Sequence, residues 1–328
     1  PFIVSAMGSH GGGTEEGQRE VLAGYGITEE RLGVPVVTTV DTVYLGNCAN
    51  GRPVWFDRAA YEADLIVPIN RVKLHTDFVG SIQSGLCKML VIGLGNHKGC
   101  SAVHEEAPEV FADAIEETAR LILQKAPVGF GIAILENAYD KTYAVEAVPA
   151  EHLVEREKEL VQIAKGNMPY IMLDEADVIV CGAIGKDISG AGFDPNILGR
   201  SSVLKQFVLH IPRYQRLVLC DVTPASHGNG IGVGLFDVIT KKVAEQLDLE
   251  SVYANAIACN CLGDASVPCT VDDEETAIRV ALKCCRNIDR DHPRIIRIQN
   301  TLHLGEIEVS EALLDAVRAD SRMSLIEN

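Results

Sequence analysis

Nine histidines occur in the 328 residues, and three of them fall in one stretch, Asn70 to His104, NRVKLHTDFVGSIQSGLCKMLVIGLGNHKGCSAVH. The same stretch holds Arg71, Lys73, Lys88 and Lys98 against one acid, Asp77, in a chain whose formal charge is −17. A local basic excess among apolar residues and glycines is chemistry for an anionic ligand or a metal-bearing cofactor, because glycine lets the backbone approach closely. Imidazole titrates near neutrality and serves as general acid, general base or metal ligand. A fourth imidazole, His10, sits in the turn GSHGGG. His10 and His75 each follow a strand-like run, FIVSAM and LIVPINRVK, so the two can face each other across one cleft. Two bases on opposite faces of one carbon are what a racemase requires. His75, His97 and His104 could instead hold zinc for a hydrolase or lyase, although no H-E-x-x-H is present. Lys88 and Lys186 could hold a carboxylate or a phosphate. The spacing alone leaves the racemase and zinc readings open.

These residues need elements to position them. FIVSAM (2–7) reads as a strand, GSHGGG as a turn, and the following segment as a helix capped by Thr14, with Glu15 and Glu16 in its first turn and an end near Gly24. VPVVTTV (34–40) and LIVPINRVK (65–73) read as strands, and PVWFDRAAYEAD as a short strand and a short helix. KMLVIGLG (88–95) is a strand or a helix start; its unbroken apolar character does not separate the two. A helix is expected from Ser101 to about Lys125, with His104 in its first turn. VGFGIAILENA (128–138) is a strand and PAEHLVEREKELVQIAKG a helix. Gly166, Asn167 and Pro169 mark the expected boundary between an N-terminal catalytic and cofactor domain, 1–165, and a C-terminal α/β domain, 166–328. Beyond it ADVIVCGAIG, RLVLCDVT and PRIIRIQN read as strands. HGNGIGVGLFDVITKKVAEQL reads as a Gly-rich turn into a helix, and DDEETAIRVALKCCRNI and SEALLDAVRAD as helices. The alternation predicts an α/β fold of two domains with mainly parallel sheets flanked by helices. The long polar loop KDISGAGFDPNILGR after a strand is a candidate functional segment.

Composition bounds the partners. Apolar residues make up 47 % and charged residues 23 %, as in ordinary globular proteins. The acidic balance argues against nucleic acid and against anionic membrane surfaces. No apolar run approaches the roughly 20 residues of a membrane span. The ten cysteines include Cys87 and Cys100 inside the candidate site and read as buried thiols of a cytoplasmic protein. A chain opening with Pro1 in a strand-like run, without Met, suggests that a segment precedes it.

At this point the motifs resemble a family. GSHGG after a strand, then N-R-V-K-x-H-x-D-F-x-G-x-I-x-S-G-L-x-K, then I-G-x-G-x-x-K-G-x-x-x-x-H, are similar to the lactate racemase family, in its branch of shorter members of uncertain substrate. The resemblance runs over most of the chain and includes GKDISGAGFDPNILGR. It implies a nickel-pincer nucleotide cofactor, a pyridinium mononucleotide whose two thiocarbonyl arms grip nickel. Lys88 matches the lysine that carries the cofactor, and His104, sixteen residues on, matches the nickel ligand, with His97 as the alternative. His10 and His75 match the paired acid/base histidines, Gly11, Gly12 and Arg71 the cofactor contacts, and Lys186 a substrate contact. The implied activity is racemisation or epimerisation of a small 2-hydroxy acid by reversible hydride transfer, at a cofactor site in the interdomain cleft. The implied partners are the substrate and the proteins that make the cofactor. Twelve residues separate His75 from Lys88, more than in lactate racemase proper, so the substrate is not carried over from lactate. A non-catalytic nucleotide-binding member of the family is the third reading.

Overall fold

The computed structural model describes residues 1–326. The chain divides into two compact units. The first comprises Pro1–Asn137 and Lys141–Asn167; the second comprises Ala138–Asp140 and the chain from Met168 onward.

In the first unit β1 (Ile3–Val4) pairs in parallel with β2 (Val36–Val37). Both are shorter than the apolar runs that announced them. Between them lies α1 (Glu15–Gly24), capped by Thr14, whose hydroxyl accepts from the Gly17 N–H at 3.1 Å. β3 (Thr42–Asn47) and β4 (Pro53–Asp57) form an antiparallel hairpin. β5 (Ile69–Arg71) pairs in parallel with β6 (Phe130–Glu136), which pairs antiparallel with β7 (Thr142–Pro149). The sequence reading passed over β3, which is mostly half-buried, and over β7, which is mostly exposed.

The KMLVIGLG run is helical. α2 (Leu86–Lys88) continues into a π-helical turn over Met89–Gly93, closed by the Leu94 N–H on the Met89 carbonyl at 2.9 Å. Leu86, Cys87, Leu90 and Val91 are all buried, and a helix buried on every side has no polar stripe to reveal its period. The expected single helix from Ser101 to Lys125 is two helices. α3 (Asn96–His104) ends where Pro108 approaches, and α4 (Phe111–Lys125) starts beyond it. Proline lacks an N–H and disfavours helical geometry in the residue before it. His104 therefore closes the last turn of α3 instead of opening the first turn of a longer helix. α5 (Leu153–Asn167) packs with α4 around α2, burying Ile115, Ala119, Ile122, Leu153, Leu160 and Val161.

The second unit is built on a six-stranded sheet. β8 (Val178–Cys181), β9 (Arg216–Leu219), β10 (Val238–Thr240), β11 (Cys269–Val271), β12 (Ile295–Ile298) and β13 (Glu308–Val309) lie in the order β11-β10-β9-β8-β12-β13. All pairings are parallel except β12 with β13. Alternate residues serve two cores: Ile179, Cys181, Leu217 and Leu219 one side, Val178, Val180 and Val218 the other. Burial on both faces makes such strands read as continuous apolar runs. β10 lies inside the segment read as a Gly-rich turn into a helix, which is helical only in a 3-10 turn, Val233–Leu235, and in α6 (Lys241–Gln246). The architecture is α/β with sheets that are mainly parallel in this unit and mixed in the first. No helix of the described residues is long and apolar enough to cross a membrane.

Candidate functional site

Lys88 ends α2, and its Nζ lies 2.5 Å from Nε2 of His75. His75 follows β5 at the start of the loop that returns to α2. Its backbone N–H donates to Gln83 Oε1 at 2.8 Å, and the Asp77 backbone N–H donates to its Nδ1 at 3.1 Å. A backbone N–H only donates, so Nδ1 is the accepting nitrogen and the neutral ring carries its proton on Nε2, facing Lys88. The ring stacks on Phe78 at 4.3 Å and its side chain is 15 % exposed. Burial, with the positive Lys88, Lys73 and His104 around it, holds His75 well below the usual imidazole range.

His104 is placed by its own helix. Nδ1 contacts the Cys100 carbonyl at 2.7 Å and the Cys100 Sγ at 3.4 Å, one turn back. The carbonyl can only accept, so Nδ1 bears the proton and the lone pair sits on Nε2, the arrangement of a metal-ligating imidazole whose other nitrogen is oriented by a carbonyl. The Cys100 bond raises the His104 affinity for a proton against the opposing effect of burial. Burial pushes the Cys100 thiol up, but its contacts with His104 and Ser9 outweigh this and lower it. His104 meets Phe111 edge-on at 5.1 Å, and Phe111 meets Phe78 at 4.9 Å. A line of rings therefore runs from His75 through Phe78 and Phe111 to His104.

The GSHGGG turn backs onto the same helices. The Gly8 N–H donates to the Gly93 carbonyl at 3.0 Å, and Ser9 Oγ lies 3.8 Å from Cys100 Sγ. His10 is exposed on this turn. Gly11, Gly12 and Gly13 all have positive φ. A Cβ on Gly11 would meet the Gly17 backbone at 2.5 Å, whereas one on Gly12 would meet nothing within 4 Å. Gly11 is thus required for packing, and Gly12 faces open space. The buried Gln18 fixes the turn from α1: its Nε2 donates to the Gly8 carbonyl at 3.2 Å and its Oε1 accepts from Ser5 Oγ at 2.5 Å.

Of the residues singled out in the sequence, His10, Gly11, Gly12, Arg71, His75, Lys88 and His104 lie in the first unit. Arg71 pairs with Glu136 across β5 and β6 at 3.0 Å. His97 is exposed on α3, close to Gly13. Among the described residues no three His, Cys, Asp or Glu side chains gather closely enough to hold a metal, so His75, His97 and His104 form no three-ligand zinc centre. Lys186 belongs to the second unit, in the loop after β8, at the point where strand order reverses between β9 and β12. Its N–H donates to Ser226 Oγ at 2.8 Å and its Nζ to the Gly190 carbonyl at 2.6 Å.

The reading missed Gln18, Gln83 and the two phenylalanines as site components. A legible signal existed for Cys100 with His104, since residues four apart share one helix face. The glutamines carried none, because no fixed spacing announces the groups they meet: the Gly8 carbonyl and Ser5 Oγ for Gln18, the His75 N–H and the Gly80 carbonyl for Gln83.

Residues 2–113 match the model of the lactate racemase N-terminal domain. The match spans about a third of the chain, and over that segment the chain is similar to lactate racemase. Two solved structures resemble the chain at 12 % identity. One is the lactate racemase apoprotein from Thermoanaerobacterium thermosaccharolyticum, with a TM-score of 0.47, covering 87 % of this chain and 74 % of that one. The other is a protein from Thermotoga maritima, with a TM-score of 0.44, covering 94 % and 73 %. No curated protein matches the sequence.

Proposed function

We propose that this chain is a racemase or epimerase of a small 2-hydroxy acid that works with a nickel-pincer nucleotide. The observation that carries the reading is the 2.5 Å contact between His75 Nε2 and Lys88 Nζ, with His104 part of the same electrostatic neighbourhood.

The residues fit the cofactor by their chemistry. Lys88 supplies an amine suited to a thioamide link. His104 supplies one oriented lone pair on Nε2, which is all the protein has to give when a pincer provides the other donors. The turn at Gly12 opens onto free space. When bound, the cofactor supplies the hydride acceptor and electron sink.

The chain's own residues handle the proton and the substrate. His75 is assigned to give a proton to the oxygen of a flat 2-keto acid, a step it performs as the imidazolium and leaves as the neutral imidazole. His10, on the exposed turn, is assigned to take the hydroxyl proton of the bound hydroxy acid, and the roles exchange for the other enantiomer, as a reversible reaction requires. The stacked Phe78 fixes the plane of His75 and keeps water from one face.

The test is intact mass and nickel content of protein co-expressed with the cofactor-biosynthesis proteins, with peptide mapping. Support is a mass increase on the peptide holding Lys88, nickel near one per chain, and loss of nickel in His104→Ala. No adduct and no nickel, with a loaded family member as positive control, would overturn the reading.

A further inference from the structure

Directly behind Lys88 is a carboxylate that the proposed chemistry does not use. Glu157, on α5, is fully buried. Its Oε2 accepts from the Cys87 backbone N–H at 2.8 Å, and its Oε1 makes no hydrogen bond among the described residues. The residue that should cap α2 is Gly85, which has no side chain to do so. A Cβ there would come within 2.6 Å of the Glu157 carboxyl group, so glycine is what lets the carboxylate reach the helix start. On the other side the Gly85 carbonyl accepts from Asn70 Nδ2 of β5 at 2.9 Å. The amino end of α2 is therefore clamped between β5 and α5. A helix start presents unsatisfied N–H groups and positive dipole, and a buried anion is well placed there.

We propose that Glu157 is the positioning residue of Lys88: its carboxylate caps α2 from α5, fixes the backbone at Leu86 and Cys87, and through it holds Lys88 against His75. This rests on the reading of Lys88 as the anchoring lysine. Burial pushes Glu157 up to about 7, against the favourable backbone N–H groups of Cys87 and Leu86. The cap is thus charged above neutrality and uncharged below it. The titratable groups around it are the Cys87 thiol and, beyond that thiol, Glu116 and Arg120 of α4. Around His75 they are Lys88, Lys73 and His104, with Asp77 Oδ2 3.9 Å from Nδ1.

The test uses metal-free and cofactor-free protein with ¹⁵N-labelled histidine. His75 itself stays neutral well below 6.5, so a shift of its Nε2 resonance centred near pH 7 reports a neighbour. His104 titrates in the same neighbourhood, and the difference between wild type and Glu157→Gln isolates Glu157. The expected result is a component of the His75 shift that disappears in Glu157→Gln. Hydrogen-exchange protection of amides 86–90 should fall about tenfold in that variant at pH 8, equivalent to a loss of ~1.4 kcal/mol, with protection of α4 unchanged. Gly85→Ala, which pushes the carboxyl away without removing it, should reproduce the loss. Identical His75 titration and identical protection in wild type and both variants overturn the proposal. A cofactor adduct at Lys88 together with an unchanged Glu157→Gln protein would sink the positioning role alone. The expected shifts without any adduct would sink only the anchoring role of Lys88.

Discussion

His75 Nε2 and Lys88 Nζ face each other at 2.5 Å across the loop joining β5 to α2. The Asp77 backbone N–H has already committed the other His75 nitrogen as an acceptor. Backbone geometry thus bears on the tautomer of the ring that faces Lys88. His75→Ala and His75→Gln should lower racemisation of the responsive 2-hydroxy acid by about 10²–10⁴-fold while nickel content stays at the wild-type level. Chiral analysis of a hydroxy-acid panel, paired with metal analysis, checks this. Wild-type turnover in either variant at full nickel content removes His75 from proton transfer.

The depressed affinity of His75 for protons has a consequence for stability. The folded state keeps the ring neutral while the unfolded state protonates it below about 6.5, so unfolding takes up a proton as pH falls. Stability contributed at this position is therefore present above that value and is lost below it, by up to about 1.4 kcal/mol per pH unit until the folded-state value is reached. The difference in unfolding free energy between His75→Gln and wild type should grow in favour of the variant from pH 6.5 downward. A pH-independent difference from denaturant titrations at pH 5, 6 and 7.5 would contradict it.

Glu157 runs the other way. Its folded value is raised to about 7 from an ordinary 4.5, so the folded state prefers the protonated acid. Stability is lost as pH rises from 4.5 to about 7 and is flat beyond. Glu157→Gln, which cannot ionise, should gain on wild type over that window by on the order of 2–3 kcal/mol. Chemical unfolding of both proteins at pH 5 and pH 8 measures the gain, and an equal difference at the two values would refute it.

Arg52 ties the end of the β3–β4 hairpin to α4 and to the segment just past His104. Its guanidinium is 5 % exposed and is met by Glu106, Glu117 at 2.9 Å and the Ala114 carbonyl at 3.2 Å. Truncation leaves Glu106 and Glu117 without their shared cation and takes one of two side-chain donors from the Ala114 carbonyl, which keeps Thr118 Oγ1 at 2.7 Å. Arg52→Ala should cost about 3–5 kcal/mol. Arg52→Lys should recover only part of this, because an ammonium cannot serve both glutamates and the carbonyl in the planar fork geometry. Urea midpoints rank the three proteins, and a lysine variant as stable as wild type would show that charge alone matters.

The glycines of the His10 turn give a paired comparison. Both Gly11 and Gly12 have positive φ, but only Gly11 has backbone within 3 Å of where a Cβ would sit. Gly12→Ala should cost about 1–2 kcal/mol, the left-handed strain alone. Gly11→Ala should cost clearly more, because the turn must move away from Gly17 as well. Thermal unfolding of the two variants side by side decides it, and equal losses would mean that the turn yields without resistance.

The sequence alone made several elements legible for reasons that are local. Thr14 with Glu15 and Glu16 is a helix start written in side-chain chemistry, and α1 begins there. The doubly buried strands β8 and β9 announce themselves as apolar runs because both faces lie in a core. The clustering of His75, Lys88 and His104 in one stretch was visible from composition. What tertiary structure alone decided is how those side chains meet. Apart from Lys88, α2 and its π-helical continuation are apolar, so their period was unreadable until β5, α4 and α5 enclosed them. Pro108 split the helix expected after Ser101 and moved His104 from a first turn to a last one. The tautomers of His75 and His104 depend on backbone groups at Asp77 and Cys100. Glu157 reaches α2 from about 70 residues away in sequence, and nothing in its own neighbourhood, a charged helix like many others, distinguishes it from a solvated glutamate. Its burial and its role arise only because Gly85 leaves room for it.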